Sequence, residues 1–396
     1  MEKMSRRDFI KTAGIVAGAA ALSNMVPRVV RANPKTTVAI IKSDMDLGAA
    51  MTHSLFPCFM DTTLEQAREK LRVPEVSWTP ESMAEIERML KEAFNLIGGL
   101  PVKKGDTVLI KPNMVQPPHV PMFHVGGFGF DRAQAMISDV RAAIAVAKMA
   151  REAGAKEVII GEGNASRIAD AWRETGYATA VAAMNDPAVK LLDFPTVPYK
   201  FMKPPKALAL PEYAVPELLE NIDVLINIAP MKTHMWAGIT MTMKNFIGLP
   251  SGDVYGNYKA GLPHNVIADI ITDLTALTLD RVKTNVGIIT AIYAGEGIGP
   301  LTPEAKPLNT IVVGRDYVAV DAVATTVMGF DAGAIGHIRK AHQTGLGTMM
   351  AKDIEVVGNV QIKDIQFAAK PVAEGARQHG GENTDWTSKM GRTLPS

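Results

Sequence analysis

Lys232 and His234 stand two residues apart at the end of an apolar run, IDVLINIA, and Thr240, Lys244, Asn245 and His264 follow before residue 265. The stretch 227–264 holds amines, imidazoles, hydroxyls and amides among glycines and methionines, with few carboxylates nearby. It has neither the apolar content of a core nor the mixed charge of a solvated face. Ammonium groups hold an anion or polarise a carbonyl oxygen, and imidazoles move protons near neutral pH. An extended chain puts residues two apart on one side, so Lys232 and His234 are expected to face the same way. The segment 239–244 alternates as a strand does, yet its Met and Lys favour helix. Either period places Thr240 and Lys244 on one face.

Similar residues recur where other apolar β-branched runs end. TVLI leads into Lys111-Pro112-Asn113, EVII into Glu162 between two glycines, NVGIITAIY into Glu296 between two glycines, and TIVV into Arg315-Asp316. Lys232, His234, Lys244, His264 and Glu162 are the candidate catalytic groups. Lys111, Asn113, Thr240, Asn245 and Glu296 are candidates for holding substrate. Glu162 and Glu296 suit acid/base work or ligation of a hard cation, so a metal ion enters as one option. Flanking glycines would let the backbone approach a ligand closely. Arg315-Asp316 reads as a turn in which Asp316 caps the next helix, and Asp321 as structural. His119, His124, His337, His342 and His379 have no context that suggests chemistry.

The elements that must position these groups alternate. Strands are expected at 36–41, 107–110, 157–160, 223–229, 285–293, 310–313 and 354–357. Helices are expected at 80–97, from Asp131 to about 153, and at 168–175, 266–279, 318–328 and 334–343. Residues 43–79 read as an irregular lid, 115–130 as a glycine-rich loop, and 187–211 as an inserted hairpin. This pattern defines an α/β fold, a mostly parallel sheet with helices on both faces and irregular insertions. Such sheets bind ligands beyond the carboxyl ends of their strands. If the strands are parallel, the candidate residues gather along one edge.

Composition narrows the classes. The chain has 396 residues, 47% hydrophobic and 21% charged, within the globular range. Its first 32 residues are strongly basic and the remainder mildly acidic, which gives no electrostatic case for nucleic acid. A single cysteine, Cys58 in the apolar context FPCF, excludes an internal disulfide and an iron–sulfur cluster held by this chain alone. It reads as a small buried hydrophobe. Ser5-Arg6-Arg7-Asp8-Phe9-Ile10-Lys11, an apolar segment from Ala13 and Val30-Arg31-Ala32 follow the order of a twin-arginine export signal. That assigns residues 1–32 to an address read by the twin-arginine translocation machinery, removed on export or kept as an anchor. A single α/β domain is expected over 33–373 with its core at 36–358, then a polar, poorly ordered tail at 374–396. The apolar part of the signal is too short for a comfortable span, and no integral membrane span is expected after the signal is removed. The protein is expected in the periplasm or another extracytoplasmic space.

Lys111-Pro112-Asn113, Glu162 in GEG, Lys232-Thr233-His234, Thr240, Lys244-Asn245, Gly248, His264, GIGP at 297–300 and DYVAVDA at 316–322 together resemble the family catalogued as domain of unknown function 362. The resemblance implies a shared α/β fold and no activity. Some relatives carry ferredoxin-like cysteine clusters, which this chain lacks. The residues favour an exported enzyme acting on a small anionic or carbonyl-containing molecule. The rivals are a non-catalytic ligand-binding protein of the cell envelope and a metal-cofactor enzyme resembling the nickel-pincer racemases.

Overall fold

Val108 and Ile110 bury themselves among Ile86, Ala93 and Val146, while Leu109 between them packs with Leu225, Leu274 and Val312 on the opposite side. Both faces of the sheet therefore carry a core, and each apolar strand residue feeds one or the other. The computed structural model describes residues 35–53, 76–115, 134–163, 171–172, 175–256, 259–374 and 387–396. The expected lid, the histidine-bearing part of the 115–130 loop, Cys58, His119, His124 and His379 lie outside them, wholly or in large part.

The first half of the chain forms β1 (Thr36–Lys42), β2 (Met51–His53), β3 (Val76–Trp78), α1 (Pro80–Leu96), β4 (Thr107–Lys111), α2 (Val140–Glu152), β5 (Glu157–Glu162), α3 (Tyr177–Met184), β6 (Val189–Asp193), β7 (Tyr199–Met202) and β8 (Tyr213–Pro216). The second half forms β9 (Val224–His234), β10 (Gly238–Thr240), α4 (Thr242–Asn245), α5 (Gly252–Tyr255), α6 (Ile267–Arg281), β11 (Thr284–Ile298), β12 (Thr302–Gly314), α7 (Tyr317–Val327), α8 (Gly336–Gln343) and β13 (Ile354–Gly358). The main sheet runs β13-β1-β12-β11-β9-β4-β5-β6, with β10 folded back on β9. Helices α1, α2 and α3 cover one face, and α6, α7 and α8 the other. A hairpin is present as the antiparallel pair β7–β8, but it is shifted: β8 lies beyond residue 211, and β6, within the expected range, joins the main sheet.

Four expectations need correction. The sheet is mostly parallel as expected, but the strand ends do not all gather along one edge, because β12 runs antiparallel to both β1 and β11. Its end therefore lies at the edge opposite the other strand ends, where Arg315 donates to the Ile97 and Gly99 carbonyls and Asp316 caps α7. Lys232, His234 and Glu296 lie within strands rather than after them, since β9 and β11 run past their expected ends. Pro230 ought to stop a strand, but it falls where the β9–β11 register slips, so its missing N–H leaves no gap in the ladder. The helix expected from Asp131, which itself lies outside the described residues, is broken: residues 134–136 are helical, and α2 starts afresh at Val140, where the Asp139 carboxylate accepts from Arg141 N and grips the fully buried Arg141 guanidinium. The final residues 387–396 return to the body, with Lys389 N donating to Gly329 O and Ala351 N to Pro395 O.

Segment 239–244 uses both of its sequence periods: β10 pairs with β9 and α4 begins two residues later. Asp321 of α7 sets that switch. Its carboxylate accepts from Thr242 N, Thr242 Oγ1 and Met243 N, which caps the one-turn α4 from outside. Burial nevertheless pushes the Asp321 carboxyl up to about 7. Asp321→Ala is expected to lower the unfolding free energy by about 2–4 kcal/mol, because three buried donors lose their acceptor. Urea unfolding followed by circular dichroism checks this, and an unchanged midpoint would refute the capping role.

Candidate functional site

Strands β4 and β5 end side by side, and their last residues form a buried ion pair. Lys111 Nζ lies 2.9 Å from Glu162 Oε1, and both side chains are almost fully excluded from solvent. Lys111 Nζ also donates to Pro112 O and Asn245 Oδ1, both at 3.1 Å. Glu162 accepts from Gly163 N at 2.8 Å and Met114 N at 3.3 Å. Burial lowers the Lys111 pKa, while Glu162 works against that. Gly163 beside Glu162, and Gly248 facing it, line the cavity and also pack too closely for a side chain. A Cβ at Gly163 would lie 2.1 Å from Gly248 O, and one at Gly248 would lie 2.5 Å from Glu162 Oε1. Bare backbone closes over the ion pair at both positions.

Asn245 joins this pair to the rest. Its Nδ2 donates to Lys111 O, Asn227 Oδ1 and Ile228 O, and its Oδ1 accepts from Lys111 Nζ and Asn113 Nδ2. Its hydrogen-bonding atoms are thus engaged within the protein. Asn113 keeps one buried acceptor, Oδ1, without a partner among the described residues.

Beyond the pair lies a cavity of about 440 Å³. Of the sequence-derived candidates it brings together Asn113, Glu162, Lys232, His234, Thr240, Lys244, Asn245 and His264. Lys111 sits behind Glu162 and does not line it. Glu296 is not brought in: its Oε2 accepts from Lys370 N at 2.9 Å, while its neighbour Gly295 packs against Lys232. The turn between β9 and β10 forms one wall. His234 Nδ1 accepts from Trp236 N at 3.1 Å and Ala237 N at 3.4 Å, so the neutral ring carries its proton on Nε2. His264 has the opposite tautomer, because Nδ1 faces Leu262 O at 2.8 Å and must donate, leaving a lone pair on Nε2. Trp236 lies between them, its ring centroid 4.4 Å from that of His264 and 5.9 Å from that of His234.

Two groups escaped the sequence reading. Lys259, with a left-handed φ of 54°, turns into the cavity and donates to Pro250 O. Nothing in its spacing links it to Lys232 or Lys244. Trp236 sits in the hairpin turn, where its ring reads as ordinary bulk. His337, set aside earlier, is buried with both ring nitrogens unpartnered among the described residues.

The electrostatics follow from crowding amines in a desolvated space. Burial lowers Lys244 to about 8 and Lys259 to about 8. Lys232 is held well below the ordinary lysine range, first by burial and then by the Lys244 charge. His234 is depressed by burial, then by Lys244 and Lys232, and His264 by burial and Lys244. Both histidines are therefore neutral at pH 7. Among the described residues no group of three or more His, Cys, Asp or Glu side chains is placed to hold a metal ion.

An α/β sheet with a cation-lined cavity at its strand ends defines the class. Residues 108–326 match the family described as Domain of unknown function (DUF362), and residues 3–23 match the twin-arginine translocation pathway signal sequence. The chain belongs to the DUF362 family and is exported by the twin-arginine pathway, which makes the twin-arginine translocation machinery its partner in export. No helix among the described residues is long and apolar enough to cross a membrane. The chain is similar to the thylakoid-associated protein of Synechocystis sp., 25% identical over 270 residues, covering 67% of this chain and 76% of that one. It also aligns with a crystal structure of a Thermotoga maritima protein at 15% identity and a TM-score of 0.37. That alignment covers 67% of this chain, which spans 59% of the length of the Thermotoga protein.

Lys111→Met is expected to cost roughly 3–5 kcal/mol of stability by stranding Glu162, and the double variant Lys111→Met/Glu162→Gln to recover most of it. Urea midpoints of the single and double variants check the coupling. His337 falls from an ordinary 6.5 to about 3, chiefly by burial. Its unfolded form takes up a proton below pH 6.5 that the folded form refuses, so stability declines as pH drops from 6.5 towards 3. His337→Leu is expected to remove about 2 kcal/mol of the stability difference between pH 7 and pH 5. Equal pH slopes for variant and native protein would contradict this.

Proposed function

We propose that this exported protein is an enzyme acting on a small anionic, carbonyl-containing molecule bound in the cavity at the strand ends. One observation carries the reading. Three lysines, Lys232, Lys244 and Lys259, line the cavity, and the carboxylate lining it, Glu162, is already engaged by Lys111. Unbalanced ammonium charge in a desolvated pocket favours an anion that enters from outside. Lys232 and Lys259, each tied to a backbone carbonyl, hold the anionic group. Lys244 faces the reacting carbonyl, and Thr240 and Asn113 offer further hydrogen bonds beside it. His234 presents an Nε2–H that can donate to a developing oxyanion, and His264 an Nε2 lone pair that can accept a proton. Trp236 closes the wall between them.

Oxalate serves as a probe of the anion site. Lys232→Met and Lys259→Met are each expected to weaken its binding about tenfold or more by isothermal titration calorimetry. Binding is expected to weaken as pH rises through about 8, where Lys244 and Lys259 lose charge. Unchanged affinity in both variants would overturn the assignment. Binding of 2-oxo acids and aldehydes with no product detectable by mass spectrometry would favour a non-catalytic ligand-binding protein instead.

A further inference from the structure

We propose that Lys244 is the nucleophile of an imine-forming site, and that the substrate class is an aldehyde or ketone with its anionic group held by Lys232 and Lys259. The proposal rests on the reading of the cavity as a site for an anionic carbonyl compound.

The four lysines near the cavity are not alike. Lys111 donates to Glu162, Pro112 O and Asn245, Lys232 donates to Met136 O, and Lys259 donates to Pro250 O. Each of these ammonium groups is tied to an acceptor. Lys244 Nζ meets no acceptor and no carboxylate among the described residues, yet it lines the cavity. A proton on that amine makes no hydrogen bond within the described structure and sits among other positive charges. Burial already brings its pKa to about 8, which leaves a working fraction as free amine near neutral pH.

The backbone that carries Lys244 is fixed on both sides. Asp321 holds Thr242 and Met243 before it, and Asn245 after it donates to three acceptors. The side chain thus starts from a rigid base and ends in open space, which suits a residue that must meet an incoming carbon. The neighbouring Thr240 Oγ1 is buried without a partner among the described residues and lines the same cavity.

The step balances without any oxidant or reductant. The free amine of Lys244 adds to the carbonyl carbon, forming C–N as the C=O π electrons move to oxygen. His234 Nε2–H donates a hydrogen bond to that oxygen. Nitrogen sheds two protons in turn, and His264 Nε2 relays each to that oxygen, the first making the carbinolamine hydroxyl and the second making it water. The C–O bond breaks, one water leaves, and C=N joins substrate to Lys244. The imine then draws electrons from the adjoining carbon, which favours chemistry at the neighbouring C–H or C–C bond.

The test incubates the exported protein with glyoxylate and sodium cyanoborohydride, then maps carboxymethyl-lysine by peptide mass spectrometry. Lys244 is expected to carry the adduct at about tenfold or more the occupancy of any surface lysine, and oxalate to suppress it. Lys244→Arg is expected to lose the adduct at this site while still binding oxalate, and Lys244→Met to lose the adduct and bind oxalate more weakly. The native-protein measurement stands even if neither variant folds. Adducts spread over surface lysines with Lys244 unmodified, together with intact oxalate binding, would overturn the imine alone. Absence of both adduct and oxalate binding would overturn the anion-site reading as well.

Discussion

The buried pair between Lys111 and Glu162, with Asn245 bridging it, is the constraint to which the rest of the site adjusts. Taking two charges out of water is costly, and the mutual attraction repays it only where the remaining donors and acceptors are also satisfied. Here Pro112 O, Gly163 N, Met114 N and the Asn245 amide supply them. These groups come from the ends of β4 and β5 and from α4, so the pair locks two strand ends to a one-turn helix. The same demand removes side chains from Gly163 and Gly248, whose backbones meet directly over the carboxylate. Asn113 and Lys244 take their positions from this arrangement.

The cavity beyond the pair has a different character. Its amines are desolvated and lack carboxylate partners, and the Lys244 charge disfavours protonation of Lys232 and of both histidines. An incoming anion would relieve that repulsion. The two neutral imidazoles present opposite chemistry from the same type of side chain, and backbone contacts alone decide which nitrogen keeps the proton: amide N–H groups on one side and a carbonyl on the other.

The strands and most helices were legible because apolar β-branched runs and capped amphipathic segments carry their own period. The export signal was legible for the similar reason that its order of basic, apolar and small residues is local. What escaped depends on contacts distant in sequence. The reversed direction of β12 follows from pairing with β1 and β11, which no local pattern records. Pro230 passes through a strand only because a register shift happens to accommodate it. Glu296 has the same glycine flanks as Glu162, yet alternation along β11 turns Gly295 towards Lys232 and leaves Glu296 to accept from Lys370 N. Lys259 reaches the cavity through a turn with a left-handed residue, a conformation that lysine does not announce.

Strand β1 begins a dozen residues beyond the signal match and lies between β12 and β13, near the other end of the chain. It can be paired on both sides only once residues 302–358 exist and have found the sheet. The segment trailing the export address is therefore the part of the sheet that waits longest for its neighbours. Until those residues are made, β1 lacks both of its neighbours. The order of strands thus makes the first strand of the chain depend for its place on residues about 260 positions or more further on.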